Sequence, residues 1–214
     1  FQVVQHMPKK AEGREQNTLY LSPRTIKEKE FNTPELNTYI DSLYAMMLLK
    51  DGVGIASNQI GKRLQIFIIE AENDNPRYNV LGSVPKQIFI NPLITKTSQS
   101  RKNFWHGCLS AENQQRGNVA TYEWIEYKCQ NQMGKIQQGR LDGFAAVIFQ
   151  HEFRHMLGGT YLDHANHLLP SEELSQKIGS RELPFFELAS DTLPLLLEGY
   201  NIGESLDEHH AHEM

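Results

Sequence analysis

The sequence predicts one α+β domain, in which short and mostly antiparallel strands pack around a central helix. The strand candidates are short apolar runs that are separated by turn residues, without the helical crossovers that a parallel sheet requires. A longer stretch of helix-forming residues follows them near residue 150. A chain of 214 residues is long enough for one well-cored domain and short for two.

The first helix is predicted over residues 34–50, on the outside of the strands. Thr33 is a favourable N-cap residue, and Pro34 suits the first helical position because no backbone N–H is needed there. Gly52 is expected to end the helix. The apolar residues recur on one face, at the spacing of α-helical turns: Leu36, Ile40, Leu43 and Met47.

Three strands are predicted between the two helices of the sequence. Residues 64–69 form an apolar run rich in β-branched and aromatic side chains, which is typical of a buried strand. Residues 87–91 form a second run that Pro92 should end, and residues 122–130 form a third. The polar stretches between them predict an exposed loop, an exposed segment and a turn: residues 72–85, 95–103 and 131–134.

The second helix is predicted over residues 142–157, at the centre of the domain. Asp142 can cap its N-terminus, two alanines in its first turn favour the helix, and Gly158-Gly159 should end it. Residues 171–214 are predicted to form a C-terminal extension that is packed or partly disordered. Its last residues include three histidines that could hold a metal ion loosely, but a solvated, disordered end is expected of such a terminus.

Composition excludes several classes of function. The net charge is −5 and no basic stripe is visible, so direct binding to nucleic acid is not expected. No run approaches the ~18 apolar residues of a membrane helix, and no secretory leader is visible, so we expect a cytoplasmic protein without a membrane partner. The two cysteines, Cys108 and Cys129, are expected to be free thiols.

The strongest chemical signal is the HExxH motif from His151 to His155 in the second helix. Residues four apart on a helix share a face, so both imidazoles can reach one divalent metal ion. Glu152 lies about 100° around the helix axis, from where its carboxylate can reach a water in the open coordination position. A metal lowers the pKa of such a water, and the carboxylate can accept and deliver its proton.

A catalytic metal of this kind needs a third protein ligand, and the residues alone leave its source open. A metzincin would have histidine where this chain has Tyr161, and His164 comes three residues late. A downstream acid, Glu172 or Glu173, would suit another HExxH protease. Upstream, Cys108 lies in the sequence His-Gly-Cys-Leu-Ser and could supply a thiolate, which suits iron, zinc or nickel.

A glycine-rich segment, Gly52–Gly61 (GVGIASNQIG), follows the first helix. It lacks the lysine and the serine or threonine of a phosphate-binding loop, which disfavours a nucleotide site. Glycine allows the backbone to approach a ligand closely, and Gln59 offers an amide donor for an oxyanion. For this segment alone, a plain turn after a helix is the simpler interpretation.

In this order the three segments resemble the motifs of the peptide deformylase family: Gly-x-Gly-x-Ala-x-x-Gln, Gly-Cys-Leu-Ser and Gln-His-Glu-x-x-His. The recognisable stretch runs from about Leu36 to Asp163. The resemblance implies a deformylase-like catalytic domain over residues 1–170. It also implies the roles of individual residues: Cys108, His151 and His155 as metal ligands, Glu152 as general acid and base, Gln59 and the backbone of Leu109 as oxyanion donors, and Gly54 and Gly107 as substrate-binding backbone.

Members of this family remove formate from N-formyl-methionine on nascent chains. The resemblance therefore implies a metal-dependent hydrolase with one divalent ion, with Fe(II) as the native metal and zinc or nickel able to replace it. A metal hydroxide would attack the formyl carbon, Gln59 and Leu109 would stabilise the oxyanion, and Glu152 would protonate the leaving amine. The partners would be N-formyl-methionyl peptides, nascent chains and the ribosome, in the cytoplasm or in an organelle of bacterial descent.

An apolar pocket beside the metal is expected to hold the methionine side chain. Phe144, Val147 and Ile148 precede His151 by one and two turns on the same helix face. Ile55 and Gly54 are expected on the opposite side of this pocket, so that the two sides form a slot for an unbranched thioether.

Several positions depart from the residues that are usual in the family. Ser57-Asn58 stands where Ala-Pro usually precedes the glutamine, His106 replaces a glutamate, Thr121 an arginine, and Arg154 an aspartate. Since the acid and the arginine normally support the helix, we predict a rearranged support. Arg154 is expected to pair with Glu123 or Glu126, and His106 to lie in the pocket rim.

Two alternatives to an active deformylase stay open. The first is an HExxH metalloprotease with another third ligand, which would not need Cys108 near the metal. The second is a non-catalytic relative that binds formyl-methionine or methionine at N-termini, and such a protein would have no use for Glu152. Because the ligands and catalytic groups are all kept, we favour an active but divergent enzyme.

Overall fold

The structure is a computed structural model that describes residues 1–72, 81–111, 115–184, 186–188 and 194–212. Four α-helices are found in this part of the chain: α1 (Pro34–Leu49), α2 (Gly143–Leu157), α3 (Ser171–Gly179) and α4 (Leu206–His212). It also contains nine strands: β1 (Gly54–Ala56), β2 (Ile66–Ala71), β3 (Val84–Thr97), β4 (Arg101–His106), β5 (Gln115–Tyr122), β6 (Trp124–Gln130), β7 (Ile136–Asp142), β8 (His167–Pro170) and β9 (Phe186–Leu188).

The strands form two antiparallel sheets, which confirms the predicted α+β class. The larger sheet has the order β1-β2-β3-β6-β7, and the smaller one the order β8-β5-β4-β9. Neighbouring strands pair antiparallel throughout both sheets. No helix among the described residues is long and apolar enough to cross a membrane.

The larger sheet is covered by a helix on each face. Alternate residues of β2 point to opposite faces, and Ile66 and Ile68 pack in the cluster that contains the apolar face of α1. Phe67 and Ile69 pack in the cluster that contains α2. Burial on both faces explains why residues 66–69 of β2 appear in the sequence as an uninterrupted apolar run.

Both long helices form where the sequence places them. The Thr33 hydroxyl accepts a hydrogen bond from the backbone N–H of Leu36 at 3.2 Å, with Pro34 in the first turn. Asp142 precedes α2, although its side chain makes no capping hydrogen bond. The helix ends at Gly158, whose φ of 99° favours glycine. Of the 15 residues of α2, 13 are buried, which makes α2 the central helix.

The prediction that Pro92 ends a strand is wrong. β3 continues from Val84 to Thr97, and its register against β6 shifts between Ile90 and Leu93. An irregularity of this kind leaves a position without a ladder hydrogen bond, so a proline that lacks an N–H is tolerated there. The predicted exposed segment 95–103 is also wrong in part, because Ser98 and Asn103 are buried.

The third predicted strand spans parts of two strands in the structure. Tyr122 ends β5, and β6 begins at Trp124. The predicted turn at residues 131–134 is confirmed, with the Asn131 side chain accepting hydrogen bonds from the backbone N–H groups of Met133 and Lys135. Most of the predicted loop 72–85, namely residues 73–80, lies outside the described residues.

The C-terminal residues add to the smaller sheet. β8 pairs with β5 on one side, and β9 pairs with β4 on the other. A further segment, residues 194–196, pairs with β5 through hydrogen bonds from the Ala120 N–H to the Pro194 carbonyl and from the Leu196 N–H to the Ala120 carbonyl, both at 2.9 Å. β9 and residues 194–196 belong to the extension, which therefore covers sheet edges that would otherwise be open.

The expectation of a disordered end is wrong for the residues before Glu213. Residues 206–212 form α4, in which Leu206 and His209 are buried. The His209 ring lies 3.0 Å from a carboxylate oxygen of Glu204. Apolar burial and this buried pair hold a segment that looks only polar in the sequence.

Candidate metal centre

Cys108, His151 and His155 come together at one point. The ligand atoms of the three residues all lie within 4.8 Å of one another, and they form the cluster with metal-binding geometry among the described residues. The Cys108 Sγ atom is 3.5 Å from Nε2 of His155. Both histidines come from α2, whereas Cys108 follows the end of β4, 43 positions earlier than His151 in the sequence. One sulfur and two imidazole nitrogens suit iron, zinc or nickel, so the residues fit a divalent metal.

The two imidazoles are held in the neutral state that a metal ligand needs. Burial lowers the pKa of His155 to about 4, although its hydrogen bond to the Gly159 carbonyl opposes this effect. Burial also lowers the pKa of His151 well below its ordinary value, and the neighbouring rings of His106 and His155 add to the shift. A neutral imidazole keeps a lone pair for the metal.

His155 is oriented by contacts on both its ring and its backbone. Its Nδ1 lies 2.9 Å from the carbonyl oxygen of Gly159, which directs Nε2 toward Cys108. The Asn58 side chain donates a 2.7 Å hydrogen bond to the carbonyl oxygen of His155. Asn58 therefore links the glycine-rich segment to α2, a role for which the sequence shows no signal except that the residue departs from the family pattern.

Gln59 lies next to the thiol of the cluster. Its Nε2 is 3.4 Å from the Cys108 Sγ atom and donates to the Ser110 hydroxyl at 3.0 Å. Its Oε1 accepts a 2.8 Å hydrogen bond from the backbone N–H of Ala56, which fixes the orientation of the amide. The donor end of Gln59 thus points toward Cys108 and Ser110.

Glu152 is buried beside the three ligand residues. One carboxylate oxygen is 4.0 Å from Nε2 of His155 and has no hydrogen-bond partner among the described residues. Burial raises the pKa of Glu152 well above its ordinary value. The other oxygen lies against Gly54, where an added Cβ atom would approach it to 2.4 Å. A side chain at position 54 would therefore displace this carboxylate.

An apolar pocket opens beside the cluster and contains most of the predicted substrate residues. Phe144, Val147 and Ile148 line it from α2, while Gly54, Gly107 and Leu109 line it from the other side. Ile55 does not line it: its side chain is fully buried and packs in the cluster of α1, because it alternates with Gly54 along β1. Val53 and Phe104 also line the pocket, although no pattern in the sequence indicates them.

His106 lies deeper than predicted. It contacts the pocket, but only 2% of its surface is exposed, so it is not a rim residue. Its Nδ1 is 3.1 Å from Nδ1 of His151, and the two rings stack with a centroid separation of 5.3 Å and an interplanar angle of 14°. The residue that stands where a glutamate is usual in the family that the sequence resembles is therefore in contact with His151.

Arg154 does not form the predicted pair with Glu123 or Glu126. It donates hydrogen bonds to the carbonyl oxygens of Gly158, Leu196 and Glu198 at 3.1–3.2 Å. Glu123 instead forms an ion pair with Lys102 at 3.2 Å. The guanidinium thus attaches α2 to the C-terminal segment.

The chain is similar in sequence and in structure to known peptide deformylases. The sequence model of the family described as polypeptide deformylase matches residues 14–170. A peptide deformylase of Leptospira biflexa is 35% identical over 138 residues, which cover 64% of this chain and 76% of that protein. Peptide deformylase 1 of Bordetella pertussis is 37% identical over 133 residues, covering 62% and 74%. A class I type b peptide deformylase from Acinetobacter baumannii, solved with Met-Ala-Ser bound, superposes with a TM-score of 0.65 at 29% identity, covering 76% of this chain and 99% of that one.

Proposed function

The chain belongs to the polypeptide deformylase family, and from that premise we propose how its residues carry out the reaction. As a member of this family it is a metal-dependent hydrolase that removes the formyl group from N-formyl-methionine at the start of nascent peptides.

The proposed metal ligands are Cys108, His151 and His155. A bound divalent metal would supply Lewis acidity, which lowers the pKa of a water molecule at the open position. Fe(II) is the proposed native ion, with zinc or nickel able to replace it, because a thiolate and two imidazoles suit these borderline metals. A ferrous site with a thiolate ligand would also be sensitive to oxidation.

The proton steps are assigned to Glu152. Its carboxylate would accept a proton from the attacking water and pass it to the leaving amine, and its burial suits it to hold that proton between the two steps. Gln59 Nε2 and the backbone N–H of Leu109 are the proposed oxyanion donors. Fixed donors of this kind stabilise charge that develops on the formyl oxygen without reorganisation during the step.

The peptide is expected to lie between Gly54 and Gly107, with the methionine side chain in the apolar pocket. Phe144, Val147 and Ile148 form the proposed pocket wall, without Ile55, whose side chain packs in the cluster of α1. Backbone at Gly54 can approach a substrate closely because no Cβ atom intervenes. The relative from Acinetobacter baumannii was solved with Met-Ala-Ser bound, which supports a peptide that begins with methionine as the ligand.

The position of Cys108 is the observation that carries the proposal. An HExxH protease with another third ligand would not need a thiol 3.5 Å from a metal-binding imidazole. The test is formate release from formyl-Met-Ala-Ser by protein loaded with ferrous iron under anaerobic conditions. We expect release by the wild type and a loss of roughly 10²–10⁴-fold in E152Q, since this factor is typical of general acid and base catalysis.

Two outcomes would contradict the assignment. Metal-loaded wild type that binds formyl-methionyl peptide without releasing formate would indicate a binding protein instead. Near-normal turnover in E152Q would show that another group carries the proton. As a control, the surface variant E173Q should keep full activity, because Glu173 lies on the exposed side of α3 and pairs only with Lys177 at 3.7 Å among the contacts described.

The setting of the reaction follows from the substrate. We propose that residues 1–170 form the catalytic domain and residues 171–214 an extension. Since formylated N-termini exist on chains that have just been made, we also propose action close to the ribosome. The compartment would be the cytoplasm or an organelle of bacterial descent.

A further inference from the structure

His106 is buried beside the proposed metal centre and does not face solvent. Its ring is buried at the end of β4, edge-on to Phe104 at 5.1 Å and stacked near Tyr161 at 6.0 Å. The third ring against it is His151, with Nδ1 atoms 3.1 Å apart. This packing leaves the imidazole of His106 little freedom to turn.

The contact between the two Nδ1 atoms allows only one hydrogen, so one ring donates and the other accepts. If His151 binds a metal through Nε2, its proton must be on Nδ1, because a neutral imidazole carries one proton. His106 then accepts at Nδ1 and carries its own proton on Nε2. The opposite arrangement would put the proton of His151 on Nε2, where it would block the metal.

We propose that His106 is a positioning residue, which accepts a hydrogen bond from Nδ1–H of His151 and so fixes the tautomer and ring orientation of this ligand. The inference rests on the proposed metal site. It assigns to a neutral imidazole the task that a carboxylate or carbonyl commonly performs behind a metal-binding histidine. The same structure shows the carbonyl version at His155, whose Nδ1 contacts the Gly159 oxygen at 2.9 Å.

The buried Nε2 of His106 supports this role. Within the described residues it has no hydrogen-bond partner. A buried polar atom that stays unpaired makes the fold less stable, and such atoms often mark functional sites. Selection for folding alone would favour an apolar residue of similar size at this position.

The variants H106N and H106L distinguish the hydrogen bond that His106 accepts from the packing of its side chain. Asparagine places an acceptor oxygen near the position of Nδ1, while leucine has nearly the same shape and no acceptor. We expect H106L to bind zinc roughly 10–100-fold more weakly than the wild type, as is typical when the support of a metal-binding histidine is removed. H106N should keep most of the affinity. H167L makes the same substitution at an exposed histidine of β8 and should bind zinc like the wild type.

Zinc affinity is measured by competition with a chromophoric chelator, and the melting of the metal-free proteins reports whether each variant folds. Equal zinc affinity in folded H106L and wild type would overturn the proposal. So would an equal loss in H106N and H106L, since that would indicate packing alone.

A second measurement uses the wild type and does not depend on any variant. Imidazole ¹H–¹⁵N correlation spectra of the zinc-loaded protein should show the proton of His106 on Nε2 and that of His151 on Nδ1. A proton on Nδ1 of His106 would overturn the inference. Wild type that binds no zinc would instead refute the proposed metal site, so the two failures are distinguishable.

Discussion

Replacing Arg154 with methionine should loosen the C-terminal segment from the helix that carries the two histidines. The buried guanidinium donates to the carbonyl oxygens of Leu196 and Glu198 in this segment and to that of Gly158 at the end of α2. Methionine keeps much of the apolar stem and removes every donor. The carbonyl oxygens would then lose their partner while they stay partly buried.

The size of the effect follows from these contacts. A hydrogen bond with a charged donor contributes about 1.5–3 kcal/mol, but the variant also removes the unfavourable desolvation of the guanidinium. We therefore expect the free energy of unfolding to fall by about 2–4 kcal/mol. For a chain of this length, such a loss lowers the melting temperature by about 5–15 °C.

Two assays test this expectation in the metal-loaded protein. Thermal melting gives the loss of stability, and amide hydrogen exchange should be faster at Ala120 and Leu196, whose N–H groups bond the segment to β5. R63M is a matched control, because Arg63 also donates to a backbone carbonyl, that of Ser22, but on the surface. If R154M melted like R63M with unchanged exchange, Arg154 would not hold the segment.

Three further predictions concern the catalytic carboxylate, the pocket and the extension. G54A should lose most of its formate release while it melts like the wild type, because a Cβ atom at position 54 would lie 2.4 Å from the Glu152 carboxylate. The control is G179A, because nothing lies within 4 Å of a Cβ atom added at that position. Formyl-methionyl peptides should react clearly faster than formyl-glycyl peptides, and equal rates would show that the apolar pocket does not hold the first side chain. Burial acts to raise the pKa of Glu204, but hydrogen bonds from the Asn201 N–H and from His209 outweigh it and leave the pKa lowered. The stability that Glu204 contributes should therefore be present above its ordinary pKa of about 4.5 and be lost as the pH falls through the lowered value. E204Q should be less stable than the wild type near neutral pH, and this difference should shrink in acid; a constant difference would contradict the linkage.

Local signals in the sequence predicted the elements that carry the chemistry. The capping residues and one-sided apolar spacing of α1, and the glycine pair after α2, depend on neighbours within a few positions, so a single sequence displays them. The spacing of His151 and His155 likewise follows from helix geometry alone. By contrast, Cys108 was one of several open sources for the third ligand, and only the resemblance to a family selected it.

The groups that support the ligands could not be predicted in this way. His106 and His151 are 45 positions apart, and Arg154 and Leu196 are 42 apart. No periodicity links such residues, since tertiary packing alone brings them together. Ile55 was predicted in the correct segment but on the wrong face. Side chains alternate along the three-residue strand β1, so that of Ile55 points away from the pocket.

The positions that depart from the family pattern can be understood together through their contacts. His106 and Arg154 occupy two positions at which the family usually has an acid. His106 contacts His151 as an uncharged group, and Arg154 donates to carbonyl oxygens of the extension. The arginine that usually supports the helix together with the acid at position 154 is replaced by Thr121. The buried hydroxyl of Thr121 has no hydrogen-bond partner among the described residues. The extension has therefore taken over part of the support of α2, because its carbonyl oxygens accept the charge-assisted hydrogen bonds of Arg154. The proposed neutral acceptor behind His151 would raise the basicity of this histidine less than a carboxylate would, and it would place less negative charge around the proposed metal site.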